Sequence, residues 1–207
     1  MTDIVNLLEK VYVHHDHKFL LEYLESRCIG YTQGLYYVKN MMYENSVLNG
    51  VIVEISSVDG GVSAIEYRSS MSGKWSKLYQ NPDYVPIWGV SEALDADTIV
   101  ITESVIDSES INQLNIDGVA SISFLKSSFS LAQFHYSMFL FGEKNILTAF
   151  DNDESGNRSH DRFEYMANRD YGVTIGKLKY PYKDINEYRC KSNRFAVSIK
   201  TSLNAKR

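Results

Sequence analysis

Residues 145–156 read Asn-Ile-Leu-Thr-Ala-Phe-Asp-Asn-Asp-Glu-Ser-Gly, an apolar run that stops on two carboxylates, Asp151 and Asp153. Residues 146–150 have the length and composition of a buried parallel strand. Open α/β sheets place their chemistry at the carboxyl ends of such strands, which is where both aspartates would lie. Because two carboxylates held this close repel each other unless a cation lies between them, the stretch predicts a divalent-metal site.

The same aspartates could open the calcium-binding loop of an EF-hand. That motif requires a glutamate at position twelve of the loop and a helix before it. Here position twelve is Arg162, and residues 146–150 have the pattern of a strand. We therefore exclude an EF-hand. For the motif taken alone, a solvated acidic turn without a metal stays open as an alternative.

Two further apolar segments also end in acidic residues. Residues 98–102 are all β-branched and run into Glu103 and Asp107, and residues 178–181 lead into Asp184. The intervals between the three strands are long enough for the crossovers that parallel strands need. The carboxyl ends of parallel strands lie on one edge of a sheet, so their acidic residues could converge. The candidate cluster comprises Glu103, Asp107, Asp151, Asp153 and Asp184.

The order of these motifs resembles the Toprim domain, which is shared by bacterial-type primases, topoisomerases, small RNA-processing nucleases and OLD nucleases. The similarity is greatest to the RNA polymerase core of bacterial and phage replicative primases of the DnaG type. Residues 103–107, Glu-Ser-Val-Ile-Asp, resemble that family's Glu-Gly-Tyr-Met-Asp. Residues 150–156, Phe-Asp-Asn-Asp-Glu-Ser-Gly, resemble its Phe-Asp-Gly-Asp-x-Ala-Gly, and residues 183–187, Lys-Asp-Ile-Asn-Glu, resemble its Lys-Asp-Pro-Asp-Glu.

The resemblance continues upstream of the Toprim motifs, which separates primases from the other members. Residues 64–68, 77–82 and 87–90 are similar to the primase order Gly-Arg, Lys-Tyr-Leu-Asn-Ser-Pro and Leu-Tyr-Gly-Leu. Residues 19–29 resemble the family's Tyr-Leu-x-x-Arg-Gly-Ile helix. The similar segments span most of the chain.

The chain departs from the family pattern at several positions. Ser104 replaces the glycine after the first glutamate, and Cys28 replaces a glycine after Arg27. Asn186 stands where the family usually has a second aspartate, which removes one negative charge from the cluster. Residues 125–127 replace the family's Gly-Thr.

The resemblance implies an α/β fold (α+β overall), with a Toprim-like parallel sheet flanked by helices and an N-terminal mixed α+β subdomain. We expect residues 1–96 to form the primase-core-like α+β subdomain. Residues 97–188 would form the Toprim domain, and residues 189–207 a basic C-terminal tail.

The activity implied by the resemblance is that of a DNA primase catalytic core. Such a core synthesises short RNA primers on single-stranded DNA by metal-dependent nucleotidyl transfer, using ribonucleoside triphosphates and Mg²⁺ or Mn²⁺. The resemblance assigns catalysis to Glu103, Asp107, Asp151 and Asp153, and metal binding to Glu103, Asp151, Asp153 and Asp184. It assigns nucleotide or template binding to Arg68, Lys77, Asn81 and Lys183.

Two other functions fit the same motifs. A metal-dependent Toprim nuclease would use the same carboxylates with water as the nucleophile, but it has no reason to carry the upstream segment from residue 67 to residue 90. A non-catalytic, primase-derived nucleic-acid-binding subunit is suggested by Ser104 and Asn186. Metal binding would separate that subunit from both enzymes.

The amino-acid composition limits the cofactors, partners and cellular compartment that we expect. With 207 residues, 44% hydrophobic and 13% aromatic, the chain is long and apolar enough for a folded core. Its two cysteines fit neither a disulfide framework nor a zinc ribbon, so we expect no zinc and reduced thiols in a cytoplasm. That compartment would be the bacterial host cytoplasm if a phage encodes the chain. Because replicative primases usually select the template with a zinc-ribbon domain, which two cysteines do not fit, template recognition would come from a separate helicase or template-recognition protein.

The charge is distributed unevenly along the chain. The formal net charge is -5, yet residues 189–207 contain six basic residues and no acidic one. A basic tail suits contact with phosphates, whereas a solvated tail without a partner is the alternative.

No apolar run has the length of a membrane span, so no membrane association is expected. In the run from His14 to His17, we favour Asp16 as a helix N-cap over a metal site.

Overall fold

The computed structural model describes residues 2–70 and 76–204. The chain divides into two compact units. The first unit comprises Met1–Ser26 and Gly30–Pro86, and the second comprises Arg27–Ile29 and Ile87–Arg207. The boundaries expected at residues 96 and 188 stay predictions.

The first unit consists of two helices followed by a four-stranded antiparallel sheet with the strand order β1-β2-β3-β4. Each strand therefore pairs with the next one along the chain. The elements are α1 (Thr2–His14), α2 (His17–Ser26), β1 (Leu35–Tyr43), β2 (Ser46–Ser56), β3 (Val62–Ser69) and β4 (Ser76–Gln80).

Helix α1 covers this sheet with one apolar face. Ile4, Leu7, Leu8 and Val11 recur at helical spacing and are all buried in the core cluster of the unit. From the sheet side, Val38, Met41, Ile52 and Ile65 enter the same cluster, together with Leu48, Tyr43 and Tyr67. Along β1 the buried residues are Leu35, Val38, Met41 and Tyr43, and the residues between them are more exposed, which fits a sheet with one covered face. The pairing register with β2 shifts between Val38 and Met41.

Helix α2 begins as the sequence predicts. The backbone N–H of Phe19 donates to the side chain of Asp16 at 3.1 Å, so Asp16 caps the first turn. The N-cap prediction is confirmed.

The second unit contains a four-stranded parallel sheet with the order β6-β5-β7-β8, flanked by helices. The sheet therefore confirms the predicted fold class, a Toprim-like parallel sheet within an α+β chain. Its elements are α3 (Val90–Ala93), β5 (Thr98–Thr102), α4 (Val105–Asn112), β6 (Val119–Ser123), α5 (Leu131–Phe141), β7 (Asn145–Ala149), α6 (Glu154–Tyr171), β8 (Gly176–Lys177), α7 (Ile185–Lys191) and α8 (Phe195–Asn204).

Strands β5 and β7 are the two central strands, and their register sets the position of everything that follows them. All five residues of β5 are buried, which agrees with a strand covered on both faces. Thr98 pairs with Asn145 at the amino end, and Thr102 pairs with Ala149 at the carboxyl end. The residues that follow Thr102 and Ala149 thus leave the sheet at the same edge.

The C-terminal segment folds onto this unit. Helix α8 buries Phe195, Ile199 and Leu203 in a core cluster that also holds Leu178 and Ile185. The first part of the basic tail is therefore part of the folded core. Lys206 and Arg207 lie outside the described residues. None of the helices within the described ranges is long and apolar enough to cross a membrane.

Replacing Phe195 by alanine should lower the free energy of unfolding by about 3–5 kcal/mol, because it removes a buried aromatic ring from this cluster. Val197→Ala on the same helix is the control. Val197 is 69% exposed, so its truncation should change the free energy by less than about 0.5 kcal/mol. Urea unfolding of both variants measures the difference, and equal values would contradict the packing of α8.

Candidate active site

Glu103 and Asp151 meet at the carboxyl edge of the parallel sheet. Glu103 directly follows β5, and Asp151 stands two residues after the end of β7. The backbone N–H of Asp151 donates to Oε1 of Glu103 at 3.1 Å. The side chain of Glu103 is thus bound to the main chain of Asp151, and the charges of the two carboxylates interact just beyond the ends of neighbouring strands.

Asp153 ends the turn after β7 and begins helix α6. Its carboxylate accepts a hydrogen bond from the backbone N–H of Gly156 at 2.9 Å, which makes it the N-cap. At Gly156 there is no room for a side chain, since a Cβ there would lie 2.1 Å from the carbonyl oxygen of Asp151. The glycine of the Asp-x-Asp motif therefore lets the first turn of α6 pack against the backbone of Asp151.

The segment before α7 is held beside this turn by Asn152. The backbone N–H of Asn152 donates to the carbonyl of Lys183 at 2.6 Å. Its side-chain amide donates to the carbonyls of Tyr180 and Tyr182 at 2.8 and 2.7 Å. In addition, the Tyr180 hydroxyl donates to the carbonyl of Phe150 at 2.7 Å.

These bonds bring Lys183 and Asp184 to the site. Nζ of Lys183 lies 3.6 Å from Oδ2 of Asp151. Asp184 caps α7, accepting from the backbone N–H of Glu187 at 2.6 Å. The structure therefore places Lys183 against the carboxylates.

Asp107 is buried and bound on several sides. Ser104, the N-cap of α4, accepts from the backbone N–H of Asp107 at 3.2 Å, and its hydroxyl also donates to the Asp107 carboxylate. The other carboxylate oxygen accepts from the backbone N–H of Asn186 at 2.9 Å. Its carboxylate is thus occupied by internal bonds that fix the start of α4 and the first turn of α7.

Two of the departures from the primase motif, Ser104 and Asn186, support this arrangement. Ser104 supplies a capping hydroxyl that a glycine would lack. The side-chain amide of Asn186 donates to the carbonyl of Arg27 at 2.7 Å and to Oγ of Ser110 at 3.0 Å. An aspartate at position 186 could not donate either bond.

Burial and mutual repulsion raise the pKa values of Glu103, Asp107 and Asp151. Burial, followed by the charge of Asp151, raises the pKa of Glu103 to about 7. Burial raises the pKa of Asp107 to about 6, with a further contribution from Asp184. Burial and then the charge of Asp184 also raise the pKa of Asp151, although Lys183 opposes the shift. The charge of Asp151 in turn raises the pKa of Lys183.

A divalent cation fits the chemistry of these donors. Carboxylate oxygens are hard ligands, and each raised pKa reflects a negative charge that a nearby cation would stabilise. Within residues 2–70 and 76–204, however, no group of three or more His, Cys, Asp or Glu side chains is arranged to hold a metal ion. The arrangement fits the mode typical of Mg²⁺, in which one or two carboxylates act together with substrate phosphates.

The remaining predicted binding residues, Arg68, Lys77 and Asn81, lie in the first unit. Nε of Arg68, on β3, lies 3.0 Å from Oε1 of Glu66. Lys77, on β4, pairs with Glu44 at 3.0 Å and lies 4.2 Å from the centre of the Tyr79 ring. The side-chain oxygen of Asn81 accepts from the backbone N–H of Asp83 at 3.1 Å. Their roles toward a template or nucleotide stay predictions.

A family model described as Toprim-like matches residues 100–189. These residues form a Toprim-like domain. The match contains Glu103, Asp107, Asp151, Asp153 and Asp184, the five clustered acids. No curated protein sequence matches the chain significantly.

Solved structures similar to the chain are primases. The primase fragment of the bacteriophage T7 primase-helicase protein is 18% identical, with a TM-score of 0.66, over 82% of this chain and 67% of that one. The Aquifex aeolicus primase, comprising zinc-binding and RNA polymerase domains, is 16% identical, with a TM-score of 0.67, over 89% of this chain and 55% of that one.

A third match comes from a bacteriophage T7 complex of lagging-strand DNA polymerase with primase domains of two gp4 subunits bound to an RNA/DNA hybrid and dTTP. The identity is 16% and the TM-score 0.62, over 88% of this chain and 85% of that one. At these identities the similarity establishes the fold, which is that of primase catalytic cores.

Without divalent cations, the free energy of unfolding should fall as the pH rises from about 4.5 to about 7, because the native state binds the Glu103 proton more tightly than the unfolded chain does. Glu103→Gln should flatten this fall by on the order of 1 kcal/mol. Urea unfolding in EDTA across this range measures both slopes. Identical slopes would mean that Glu103 does not carry a raised pKa.

Proposed function

We propose that the chain is a DNA primase catalytic core that synthesises short RNA primers on single-stranded DNA by metal-dependent nucleotidyl transfer. The observation that carries the proposal is the meeting of Glu103 and Asp151, with Lys183 beside them, at the carboxyl edge of a parallel sheet in a chain with the primase-core fold. Positioning and charge neutralisation are what phosphoryl chemistry mostly requires, and this edge offers both.

The extent of the structural similarity favours a primase over a Toprim nuclease. A match covering 82–89% of the chain extends well beyond residues 100–189, into the first unit. A nuclease needs only the Toprim-like domain for its carboxylates. The upstream sheet, with Arg68 and Lys77 on β3 and β4, is what a polymerising enzyme would use to hold a template or a triphosphate.

In the proposed reaction the 3′-hydroxyl of the primer attacks the α-phosphate of a ribonucleoside triphosphate, and pyrophosphate leaves. Mg²⁺ or Mn²⁺ would bind to one or two carboxylates drawn from Glu103, Asp151, Asp153 and Asp184, together with the substrate phosphates, whose charge it would neutralise. Glu103 would act near the nucleophile, either as the general base for the hydroxyl or as a carboxylate that orients the metal; its pKa, raised to about 7 in the absence of a metal, supports the first role.

Lys183 and Asp107 would have roles other than metal binding and proton transfer. The Lys183 ammonium, next to Asp151, offers a fixed positive charge to the triphosphate. Asp107 would position the site, because its bonds to Ser104 and Asn186 join α4 to α7. We expect the reaction to take place in a cytoplasm, with a separate helicase or template-recognition protein as partner.

A non-catalytic nucleic-acid-binding subunit is the second candidate, and Asn186 is the residue that favours it. Asn186 carries no charge and its amide is committed to Arg27 and Ser110, so the site has one carboxylate fewer than the usual family motif. Such a subunit would bind single-stranded DNA without forming a product.

Asp151→Asn should reduce primer synthesis on the order of 10²-fold or more, because it removes a charge that fixes cation and triphosphate. The assay combines the full chain, single-stranded DNA, labelled ribonucleotides and Mg²⁺ or Mn²⁺, and it resolves the products by size. Asp161→Asn makes the same chemical change at an exposed position of α6 and should retain activity.

Each alternative gives a different result in this assay. Shortened DNA that disappears in Asp151→Asn would indicate the nuclease. DNA binding without any product would indicate the non-catalytic subunit. Equal synthesis by wild type and Asp151→Asn would reject the assignment of the active site.

Addition of Mg²⁺ or Mn²⁺ should raise the thermal midpoint of the wild type, because the ions bind the native carboxylates and not the unfolded chain. The shift should vanish in the double variant Asp151→Ala, Asp153→Ala. Thermal unfolding with and without cation measures it. A shift of the same size in both proteins would place the ions elsewhere, with the histidines of residues 14–17 as the first alternative to test.

A further inference from the structure

The opposite edge of the parallel sheet carries a second concave surface. It lies where β5 and β7 begin, beside the C-terminal ends of α5 and α6, and its volume is about 880 Å³. We name it the amino-edge cleft. A five-residue strand separates it from the carboxylates by roughly 17 Å, so it is not part of the candidate active site. Its lining includes Asp95, Asp97, Met138, Phe139, Glu143 and Tyr171.

Phe139 is the main apolar feature of the amino-edge cleft. Its side chain is 80% exposed on α5, although a phenylalanine is normally buried. Tyr171, at the end of α6, is 42% exposed, and Leu94, next to the lining residue Asp95, is 40% exposed. Burying apolar surface against a partner is favourable in proportion to the area removed from water, which makes the exposed ring of Phe139 suitable as a binding anchor.

The rim of the amino-edge cleft is acidic. Asp95, Asp97 and Glu143 are exposed, and none of them lies within ion-pair distance of a basic residue in the described part of the chain. Lys144 also lines the cleft, but its ammonium is directed to the carbonyls of Leu94 and Ala96. The cleft therefore presents an aromatic side chain among carboxylates that have no cation.

This combination of charge and apolar surface indicates which class of partner the amino-edge cleft can bind. The phosphates of nucleic acid and of anionic lipids would be repelled by the rim. A second copy of the chain docked through the same face would bring two sets of three carboxylates together. A basic protein segment with an apolar side chain satisfies both features, since its cations meet the rim and its apolar group meets Phe139.

We propose that the amino-edge cleft docks a basic, amphipathic segment of a partner protein, anchored on Phe139 and oriented by Asp95, Asp97 and Glu143. The surface faces away from the carboxylates, so a partner bound there leaves the active edge accessible. The proposal does not depend on which reaction the carboxylates perform.

The test uses a fluorescein-labelled amphipathic peptide of about 14 residues, or four helical turns, built from leucine and lysine. Its fluorescence anisotropy is measured against the full chain. The wild type should bind it with an affinity that falls as salt rises. Phe139→Ser should weaken binding about tenfold or more, whereas Tyr165→Ser, at a 63% exposed position outside the cleft, should leave it unchanged.

A charge variant tests the rim independently of the anchor. The triple change Asp95→Asn, Asp97→Asn, Glu143→Gln should weaken binding and make its salt dependence shallower. These side chains are exposed, so the variants should keep the wild-type thermal midpoint. Peptides in which lysine is replaced by glutamate, or leucine by serine, should not bind.

Four results would overturn the proposal. They are absence of binding of the leucine–lysine peptide to the wild type, equal binding to Phe139→Ser, equal binding of the glutamate peptide, and a wild-type dimer in sedimentation that Phe139→Ser converts to a monomer. The last result would assign the surface to a second copy of the chain.

Discussion

The parallel register of β5 and β7 is the constraint on which the rest of the second unit depends. Pairing Thr102 with Ala149 brings Glu103 to the backbone N–H of Asp151, so acidic groups of two strands are held together in a partly buried place. Burial, and then the charge of Asp151, disfavour the ionised form of Glu103 in the absence of a cation and raise its pKa to about 7. Shifted pKa values of this kind are typical of functional sites. Both acids follow central strands, β5 and β7, in which every residue except Asn145 is buried.

The acids of the cluster have two physical roles, which sequence similarity alone does not separate. Asp153 and Asp184 each cap a helix, so part of their hydrogen-bonding capacity is used by backbone N–H groups of α6 and α7. Asp107 is bound by Ser104 and Asn186 and links two helices. The pKa values of Glu103 and Asp151 are raised by burial. The backbone N–H of Asp151 opposes the shift at Glu103, and Lys183 opposes it at Asp151. Ser104 and Asn186 therefore stabilise the starts of α4 and α7 around Asp107. The carboxylates of Glu103 and Asp151 remain at the edge of the sheet.

Much of this could be predicted from local patterns. The β-branched run before Glu103 and the apolar run before Asp151 indicate buried parallel strands, and Asp16 precedes α2 as an N-cap. The links made by Asn152 and Tyr180 could not be predicted, because an amide or hydroxyl has no sequence signal for a carbonyl about thirty residues away. Residues 77–82 resemble a primase motif, but their sequence does not predict strand β4, since five residues at a sheet edge have little periodicity. In the C-terminal segment, basic residues suggested a tail, but the spacing of Phe195, Ile199 and Leu203 is that of a packed helix face.

The two edges of the parallel sheet differ for a physical reason. Loops that follow β5 and β7 carry the acids into the N-terminal turns of α4 and α6, where backbone N–H groups stabilise negative charge. At the amino edge the helices end instead, and the carboxylates of Asp95, Asp97 and Glu143 gain no such stabilisation from α5 or α6. Helix C-termini favour cations, so a cationic segment bound at the amino edge would meet both the acidic rim and the C-terminal ends of α5 and α6. A divalent ion would meet the carboxylates at the other edge. The same sheet thus presents two edges at which carboxylates outnumber ammonium groups, one suited to a metal ion and the other to a basic protein segment.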